Sequence, residues 1–246
     1  MEILCLHGKF QCGEVFSQKM RALLKKMKKE FGENVRFTFL DGPFELPLRP
    51  GETVKMRSWN EGKDNWQSAM KVVSKSFEKT RFDGIIAFSQ GVCVACLCCI
   101  SDKLNKSLKF VVTAGGVSPS SMMMSTISLK IPSLHFIGEK DQCVSSTITE
   151  TMIKYFKNPK VHRHERGHIL PQRASEIRVV LDFIKNQIRI KGYDIIPEEQ
   201  TDELEALESI FGDEYCEIVH DGSDSRYPPT GILFLFFTHT HTHTNP

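Results

Sequence analysis

Three side chains in this sequence are of the types that together turn a hydroxyl into a nucleophile, namely Ser89, Asp141 and His168. A serine hydroxyl reacts poorly at neutral pH unless a neighbouring base removes its proton, and histidine is the usual base. A carboxylate that holds the histidine in one tautomer also stabilises the imidazolium that forms. The three residue types therefore predict acyl transfer through a covalent serine intermediate.

The segment around Ser89 has the pattern of a strand, a tight turn and a helix. Gly84–Phe88 is a short apolar run typical of a buried parallel strand, and the residues after Gly91 are small and apolar, as in a buried helix. A serine at the apex of such a turn has the context of a nucleophile elbow. Neighbouring residues must be small, which Gly91 satisfies, whereas Ala87 stands where glycine is usual. We expect the backbone N–H of Gln90 to face a developing oxyanion.

Asp141 and His168 each follow a segment that resembles a strand. An apolar run at residues 131–138 leads into Asp141, and a shorter run at residues 161–164 precedes His168. The carboxyl ends of parallel strands are where active sites of open α/β sheets lie. The order serine, aspartate, histidine is that of the α/β-hydrolases and differs from the chymotrypsin and subtilisin orders. Taken singly, each residue has a structural alternative: Ser89 as a turn residue, Asp141 as a helix cap and His168 as a surface loop residue.

The first apolar run, residues 2–6, ends in a His7-Gly8 turn. An amide that follows an early strand is where α/β-hydrolases complete their oxyanion hole. We expect the backbone N–H of Lys9 or of Phe10 to join that of Gln90 in binding a tetrahedral oxyanion. The sequence leaves open which of these two amides points inward.

Strand-like and helix-like segments alternate along the first 190 residues. Strands are predicted near 2–6, 35–40, 84–88, 109–114, 133–137 and 161–164, and helices near 14–30, 64–79, 91–101, 146–156 and 173–189. This alternation predicts an α/β fold with a mostly parallel sheet and helices on both faces. The connection at residues 41–63 is expected to overhang the active site, although a surface loop without a role is an equal alternative. Met56, Trp59 and Met123 are candidate substrate-binding residues that would suit a medium-chain acyl group.

Five short motifs occur together in one order. They are Leu4-Cys5-Leu6-His7-Gly8, Asp41-Gly42-Pro43, Phe88-Ser89-Gln90-Gly91, Gly138-Glu139-Lys140-Asp141 and Gly167-His168-Ile169-Leu170-Pro171. With the apolar runs before them they resemble the FSH family of small eukaryotic serine hydrolases over about residues 1–190. The resemblance implies an α/β-hydrolase fold and cofactor-free hydrolysis of carboxylic esters, with Ser89, Asp141 and His168 as the triad. Two residues depart from the family pattern, Ala87 and Arg166, each at a position where glycine is usual. A cation at position 166 would disfavour the imidazolium if it turned inward.

The composition changes abruptly near residue 191. From Asp194 onward the chain carries 12 acidic residues and one basic residue, whereas the earlier part carries 18 acidic and 31 basic residues. Residues 199–214 and Tyr227-Pro228-Pro229 resemble the opening of an RWD domain, an α+β interaction module, which implies a protein partner. The predicted organisation is an FSH-type α/β-hydrolase domain at 1–191, a partial RWD-like segment at 198–231 and a disordered low-complexity tail at 232–246. A truncated or misread C-terminus would explain why the resemblance stops.

The sequence also supports predictions about membrane segments, location, metal binding and the cysteines. No apolar stretch reaches 18 residues, and Met1 leads directly into a strand, so we expect neither a transmembrane span nor a signal peptide. A cytoplasmic location, with nuclear access as an option, and no nucleic-acid or membrane partner follow as expectations. His162 and His164 share a strand face but lack a convincing further ligand, so no metal is expected. Four clustered cysteines are expected to be a buried, reduced helix face: Cys93, Cys96, Cys98 and Cys99.

Two functions remain for the whole chain. The first is a serine hydrolase that cleaves a carboxylic ester, or a thioester, of a small or medium-chain acyl group through an acyl intermediate on Ser89. The second is a weak or inactive hydrolase-fold scaffold that binds a protein through its RWD-like segment. Labelling by a fluorophosphonate separates the two, because only an activated serine reacts with it.

Overall fold

Six of the predicted strands form one parallel sheet. The computed structural model describes residues 1–48, 53–61, 65–123 and 127–189, all of which belong to one compact unit, Met1–Ile195. The strands are β1 (Glu2–Leu6), β2 (Arg36–Leu40), β3 (Phe44–Glu45), β4 (Arg57–Ser58), β5 (Gly84–Phe88), β6 (Phe110–Ala114), β7 (Ser133–Gly138) and β8 (Lys160–His164). The large sheet has the order β2-β1-β5-β6-β7-β8, and each neighbouring pair is parallel. The three strands at its centre, β5, β6 and β7, are buried along their whole length, as expected of strands covered on both faces.

Helices cover both faces of this sheet. They are α1 (Gly13–Lys19), α2 (Arg21–Phe31), α3 (Gln67–Lys79), α4 (Gln90–Ile100), α5 (Ser120–Met123), α6 (Ser146–Ile153) and α7 (Ala174–Arg189). Leu4 and Leu6 of β1 pack into a core with α3, α4 and α6, while Ile3 and Cys5 pack into a second core with α1, α2 and α7. Successive side chains of a strand point to opposite faces, so a single five-residue run serves both cores. The predicted α/β architecture is confirmed.

Three differences from the predicted elements concern α-helices and β-strands. The single helix predicted at 14–30 is two helices, because Met20 leaves helical geometry (φ −89°, ψ 1°) and its buried side chain fills the junction. The connection at 41–63 contains the antiparallel pair β3–β4, which is too short to show a periodicity in the sequence. The short helix α5 lies in a stretch for which no element was predicted.

The candidate catalytic residues lie at one edge of the sheet. In parallel strands all carboxyl ends meet at the same edge, so the residues that follow β1, β5, β6, β7 and β8 come together there. The chain leaves β1 for β2 on one side, whereas β5 to β8 extend on the other side. A crevice for ligands is expected where the strand order reverses in this way, here between β1 and β5. His7 and Ser89, the residues immediately after these two strands, flank it.

The C-terminal predictions concern residues outside the described ranges. Both the RWD-like segment at 198–231 and the tail at 232–246 fall there. Among the helices in the described part of the chain, none has the length and apolar character needed to cross a membrane.

Candidate active site

Ser89 adopts the backbone conformation of a nucleophile elbow. It lies between β5 and α4 with φ 51° and ψ −119°, a region that non-glycine residues rarely occupy and that marks functional strain. Its N–H donates to the carbonyl of Ala114 at 3.0 Å, which ties the turn to the end of β6. A Cβ on Gly91 would lie 2.3 Å from the carbonyl oxygen of Leu6. Glycine is therefore required at position 91 for α4 to begin against the end of β1.

Asp141 and His168 form a hydrogen-bonded pair. Nδ1 of His168 lies 2.7 Å from Oδ2 of Asp141, whose side chain is 1% exposed. The other carboxylate oxygen accepts the N–H groups of Cys143 and Val144, both at 2.8 Å. Because a carboxylate can only accept, Nδ1 of His168 carries the proton in this pair and Nε2 is the ring nitrogen that can accept one. The two amides fix the carboxylate, which in turn fixes the imidazole.

The imidazole of His168 lies against the residues that flank Ser89. Its ring centroid is 4.7 Å from that of Phe88, the residue before the serine. Gly115 follows the Ala114 carbonyl that holds the Ser89 amide, and a Cβ on Gly115 would lie 2.7 Å from Nδ1 of His168. Gly115 also has a positive φ of 54°, which favours glycine. The fold thus brings the predicted serine, histidine and aspartate to one place.

Arg166 turns away from the imidazole and pairs with Glu176 of α7. Its guanidinium donates to both carboxylate oxygens, and Glu176 also accepts the N–H groups of Gln172 at 2.9 Å and Arg173 at 3.2 Å. Burial alone would raise the pKa of Glu176, but the hydrogen bonds from Arg166 and from these amides outweigh it and lower the pKa. The guanidinium of Arg166 is therefore held by a carboxylate of α7.

One of the two oxyanion candidates in the loop after β1 is already engaged. The N–H of Phe10 donates to the carbonyl of Arg57 at 3.1 Å, so it cannot also serve an oxyanion in this conformation. This corrects the expectation for Phe10 and leaves Lys9 as the candidate from this loop. Gln90 is the first residue of α4, and amides in the first turn of a helix point outward along its axis toward a bound anion.

The three candidate substrate contacts have different placements. Trp59 is fully buried: its ring packs on His7 at a centroid distance of 5.0 Å and its Nε1–H donates to the His7 carbonyl at 2.8 Å. A side chain with no accessible surface does not offer a ligand a contact, so this placement contradicts the expected substrate contact of Trp59. Met56 is half-buried beside β4. The side chain of Met123 lies outside the described residues.

The structure buries two histidines, His7 and His135, for which the sequence predicted no catalytic role. His7 donates from Nδ1 to the Gly8 carbonyl at 2.7 Å and accepts the Gly42 N–H on Nε2 at 3.0 Å; its burial lowers its pKa. His135, inside β7, contacts the hydroxyl of Thr113 at 2.7 Å, and burial lowers its pKa to about 3. Both are neutral structural groups. Their partners are 35 and 22 residues away, and no local pattern identifies such partners.

The clustered cysteines form the buried helix face that was expected. All four are buried in α4. Burial raises the pKa of Cys96 to about 12 and also raises those of Cys98 and Cys99, so these three thiols stay protonated and unreactive. Over the ranges that the structure describes, no three histidine, cysteine, aspartate or glutamate side chains converge to hold a metal ion.

The sequence matches a described family over most of its length. The profile of the family described as "Serine hydrolase (FSH1)" matches residues 1–180. An esterase of Anopheles gambiae is 28% identical over 215 residues, which cover 77% of this chain and 79% of that protein. Esterase OVCA2 of Danio rerio is 27% identical over 225 residues, which cover 75% of this chain and 96% of that protein.

Solved structures show the same fold. A carboxylesterase of Bacillus cereus superposes with a TM-score of 0.53 at 18% identity and covers 75% of this chain and 87% of its own. Acyl-protein thioesterase 2 of Zea mays superposes with a TM-score of 0.51 at 19% identity and covers 76% of this chain and 93% of its own. At these identities the likeness establishes the fold class, in agreement with the sheet order and the helical layers described above.

Proposed function

The chain belongs to the FSH1 serine hydrolase family and is an esterase-type enzyme, and on that premise we propose that Ser89, His168 and Asp141 are its catalytic triad. The observation that carries the proposal is the 2.7 Å pair between His168 and Asp141, placed against the strained elbow at Ser89. The substrate we propose is a carboxylic ester with a small or medium-chain acyl group.

In the acylation step, Oγ of Ser89 attacks the ester carbonyl while Nε2 of His168 takes the hydroxyl proton. The carbonyl oxygen becomes an oxyanion, which the backbone N–H groups of Gln90 and Lys9 stabilise. The tetrahedral intermediate then collapses, the bond to the alcohol oxygen breaks, and His168 returns the proton to the leaving alcohol. Asp141 stabilises the imidazolium throughout without taking its proton.

In the deacylation step, a water molecule replaces the alcohol. His168 removes a proton from the water as its oxygen attacks the acyl carbon, and the same two amides bind the second oxyanion. Collapse breaks the bond to Oγ of Ser89, which recovers its proton from His168 and releases the carboxylic acid. The enzyme returns to its starting state with one ester bond hydrolysed.

The acyl group is proposed to lie along the crevice between β1 and β5, under the segment that contains β4. Met56 is the half-buried apolar side chain of that segment that we assign to the acyl contact. An oxygen ester is the first choice over a thioester, because the relatives that match along three quarters of the chain are named esterases.

A fluorophosphonate probe tests the nucleophile directly. Wild-type protein should be labelled, and Ser89→Ala should not be, because the phosphorus atom bonds only to an activated serine. Ser121→Ala, which removes an exposed hydroxyl of α5, is the matched control and should label like wild type. On p-nitrophenyl esters of increasing chain length, Ser89→Ala should lower kcat by roughly 10⁴–10⁶-fold. Unlabelled wild-type protein with a cooperative thermal transition would refute the triad.

A further inference from the structure

The side chain of Gln90, as distinct from its backbone amide, is bound to the segment that contains β4. Its Oε1 accepts the backbone N–H of Trp59 at 2.8 Å and lies 3.1 Å from the hydroxyl of Ser58. Its Nε2 donates to Oδ1 of Asn60 at 3.1 Å. A single carboxamide therefore joins the first turn of α4 to three consecutive residues, 58–60.

The same segment holds the loop after β1 from the other side. The carbonyl of Arg57 accepts the N–H of Phe10 at 3.1 Å, and the N–H of Arg57 donates to the carbonyl of Gln11 at 2.8 Å. The indole of Trp59 donates to the carbonyl of His7 at 2.8 Å. The loop that presents Lys9 is thus attached to residues 57 and 59 on both sides of that amide.

These contacts connect the two proposed oxyanion donors through one rigid bridge. The amide of Gln90 belongs to α4 and the amide of Lys9 to the loop after β1, and residues 57–60 bind both elements. Ser58 and Trp59 are 1% and 0% exposed, so the centre of the bridge is packed, whereas Asn60 and Gln90 are half-buried. Oxyanion stabilisation depends on donors that are in place before the reaction, since a donor that must reorient loses most of its effect.

We propose that the carboxamide of Gln90 is a positioning group that sets the spacing between the two oxyanion amides through residues 57–60. The proposal rests on the proposed function, because it assigns a second role to a residue whose backbone already serves the oxyanion. Gln90 is then a residue with two tasks: its N–H binds the oxyanion, and its side chain aligns the partner amide.

The test is Gln90→Met, which keeps the length and volume of the side chain and the backbone N–H but removes all three polar contacts. Gln67→Met is the matched control, since Gln67 is exposed and is likewise the first residue of its helix, α3. With a p-nitrophenyl ester, kcat of Gln90→Met should fall by about 10- to 100-fold with KM changed less than about threefold, because a displaced oxyanion donor is felt mainly in the transition state. Gln67→Met should match wild type in both parameters.

A second readout separates alignment from general loss of structure. A trifluoromethyl ketone forms a tetrahedral oxyanion on the serine, so its Ki should rise in proportion to the fall in kcat for Gln90→Met. Ser58→Ala removes one contact of the carboxamide without altering α4, and its effect should not add to that of Gln90→Met. Wild-type kcat in Gln90→Met, or a fall in kcat with unchanged Ki, would overturn the positioning role. Unlabelled wild type in the fluorophosphonate experiment would instead overturn the triad, so the two failures are distinguishable.

Discussion

Glu176 offers a quantitative test of how the loop before His168 is fixed. Its carboxylate is 3% exposed and accepts hydrogen bonds from the guanidinium of Arg166 and from two backbone amides. Glu176→Gln keeps the shape and one carbonyl oxygen. That oxygen can stay with the two amides, but the new NH₂ group then faces the guanidinium, and two donors repel each other. The substitution therefore leaves Arg166 charged and without a partner carboxylate.

The expected loss of stability follows from burial. Removing one partner of a buried ion pair costs about 3–5 kcal/mol. The Arg166 side chain is 19% exposed, so water compensates it in part, and the lower value of about 3 kcal/mol applies. For a domain of this size each kcal/mol lowers Tm by roughly 2–4 °C, so Tm should fall by about 6–12 °C at pH 7. Arg166 precedes His168 by two residues, so loss of its partner should also shift the imidazole. A shift of the imidazole near 1 Å should lower kcat by up to about 100-fold.

The pH dependence of the Tm difference shows whether the lost carboxylate charge is its cause. The pKa of Glu176 is lowered in the folded protein, so its stabilisation is fully present above the ordinary glutamate pKa of about 4.3 and is lost as the pH falls through the lowered folded value. Differential scanning calorimetry should show a Tm difference between wild type and Glu176→Gln that is constant near neutrality and shrinks below about pH 4. Glu78→Gln, an exposed residue of α3, is the control and should differ little from wild type. A difference that persists unchanged in acid would refute a role for the charge, and a neutral-pH difference below about 2 °C would refute the estimate derived from burial.

Two further substitutions test contacts near the site. Gly115→Ala places a Cβ 2.7 Å from Nδ1 of His168 at a φ of 54°, so we expect about 1–2 kcal/mol of strain and a fall in kcat of about 100-fold; unchanged ester hydrolysis would show that the imidazole does not need this position. Thr113→Val removes the hydroxyl that contacts Nδ1 of buried His135, which should lower the unfolding free energy in urea by about 1–3 kcal/mol without changing kcat. An unaltered urea midpoint would contradict that contact.

The strands at the centre of the sheet could be predicted because each is a local apolar run. Gly84–Phe88 is buried throughout, and a strand covered on both faces needs no partner to be recognised in the sequence. The pair β3–β4 could not be predicted in this way, because two residues per strand carry no alternation. Its existence depends on an antiparallel contact between residues 44–45 and 57–58, which no window of adjacent residues reveals.

The placement of Ser89, Asp141 and His168 at one edge of the sheet could be predicted for a related reason. Each follows a predicted strand, and parallel strands place their carboxyl ends at one edge, so local patterns were sufficient to predict this placement. Their role as a catalytic triad stays a prediction. The supporting contacts were not predictable, because they join distant residues. The Gln90 carboxamide reaches a segment 30 residues earlier, and Phe10 gives its N–H to a carbonyl 47 positions later. Long-range hydrogen bonds of this kind decide which candidate amides are already engaged, and only the fold shows them.

The two departures from the family pattern do not support the inactive-scaffold alternative. Ala87 is fully buried at the end of β5, in register with Leu6 of β1 and Thr113 of β6, so a methyl group is accommodated in the core beneath the elbow. Arg166 carries a larger side chain than glycine, but its guanidinium pairs with the buried carboxylate of Glu176. The backbone carbonyl of Arg166 also accepts the N–H of Lys140, at 3.2 Å, in the loop that leads to Asp141. Arg166 thus connects the loop before His168, the loop before Asp141 and α7. If these two residues act on Ser89 as proposed, Arg166 holds them in a fixed relation to each other, which positioned catalytic groups require.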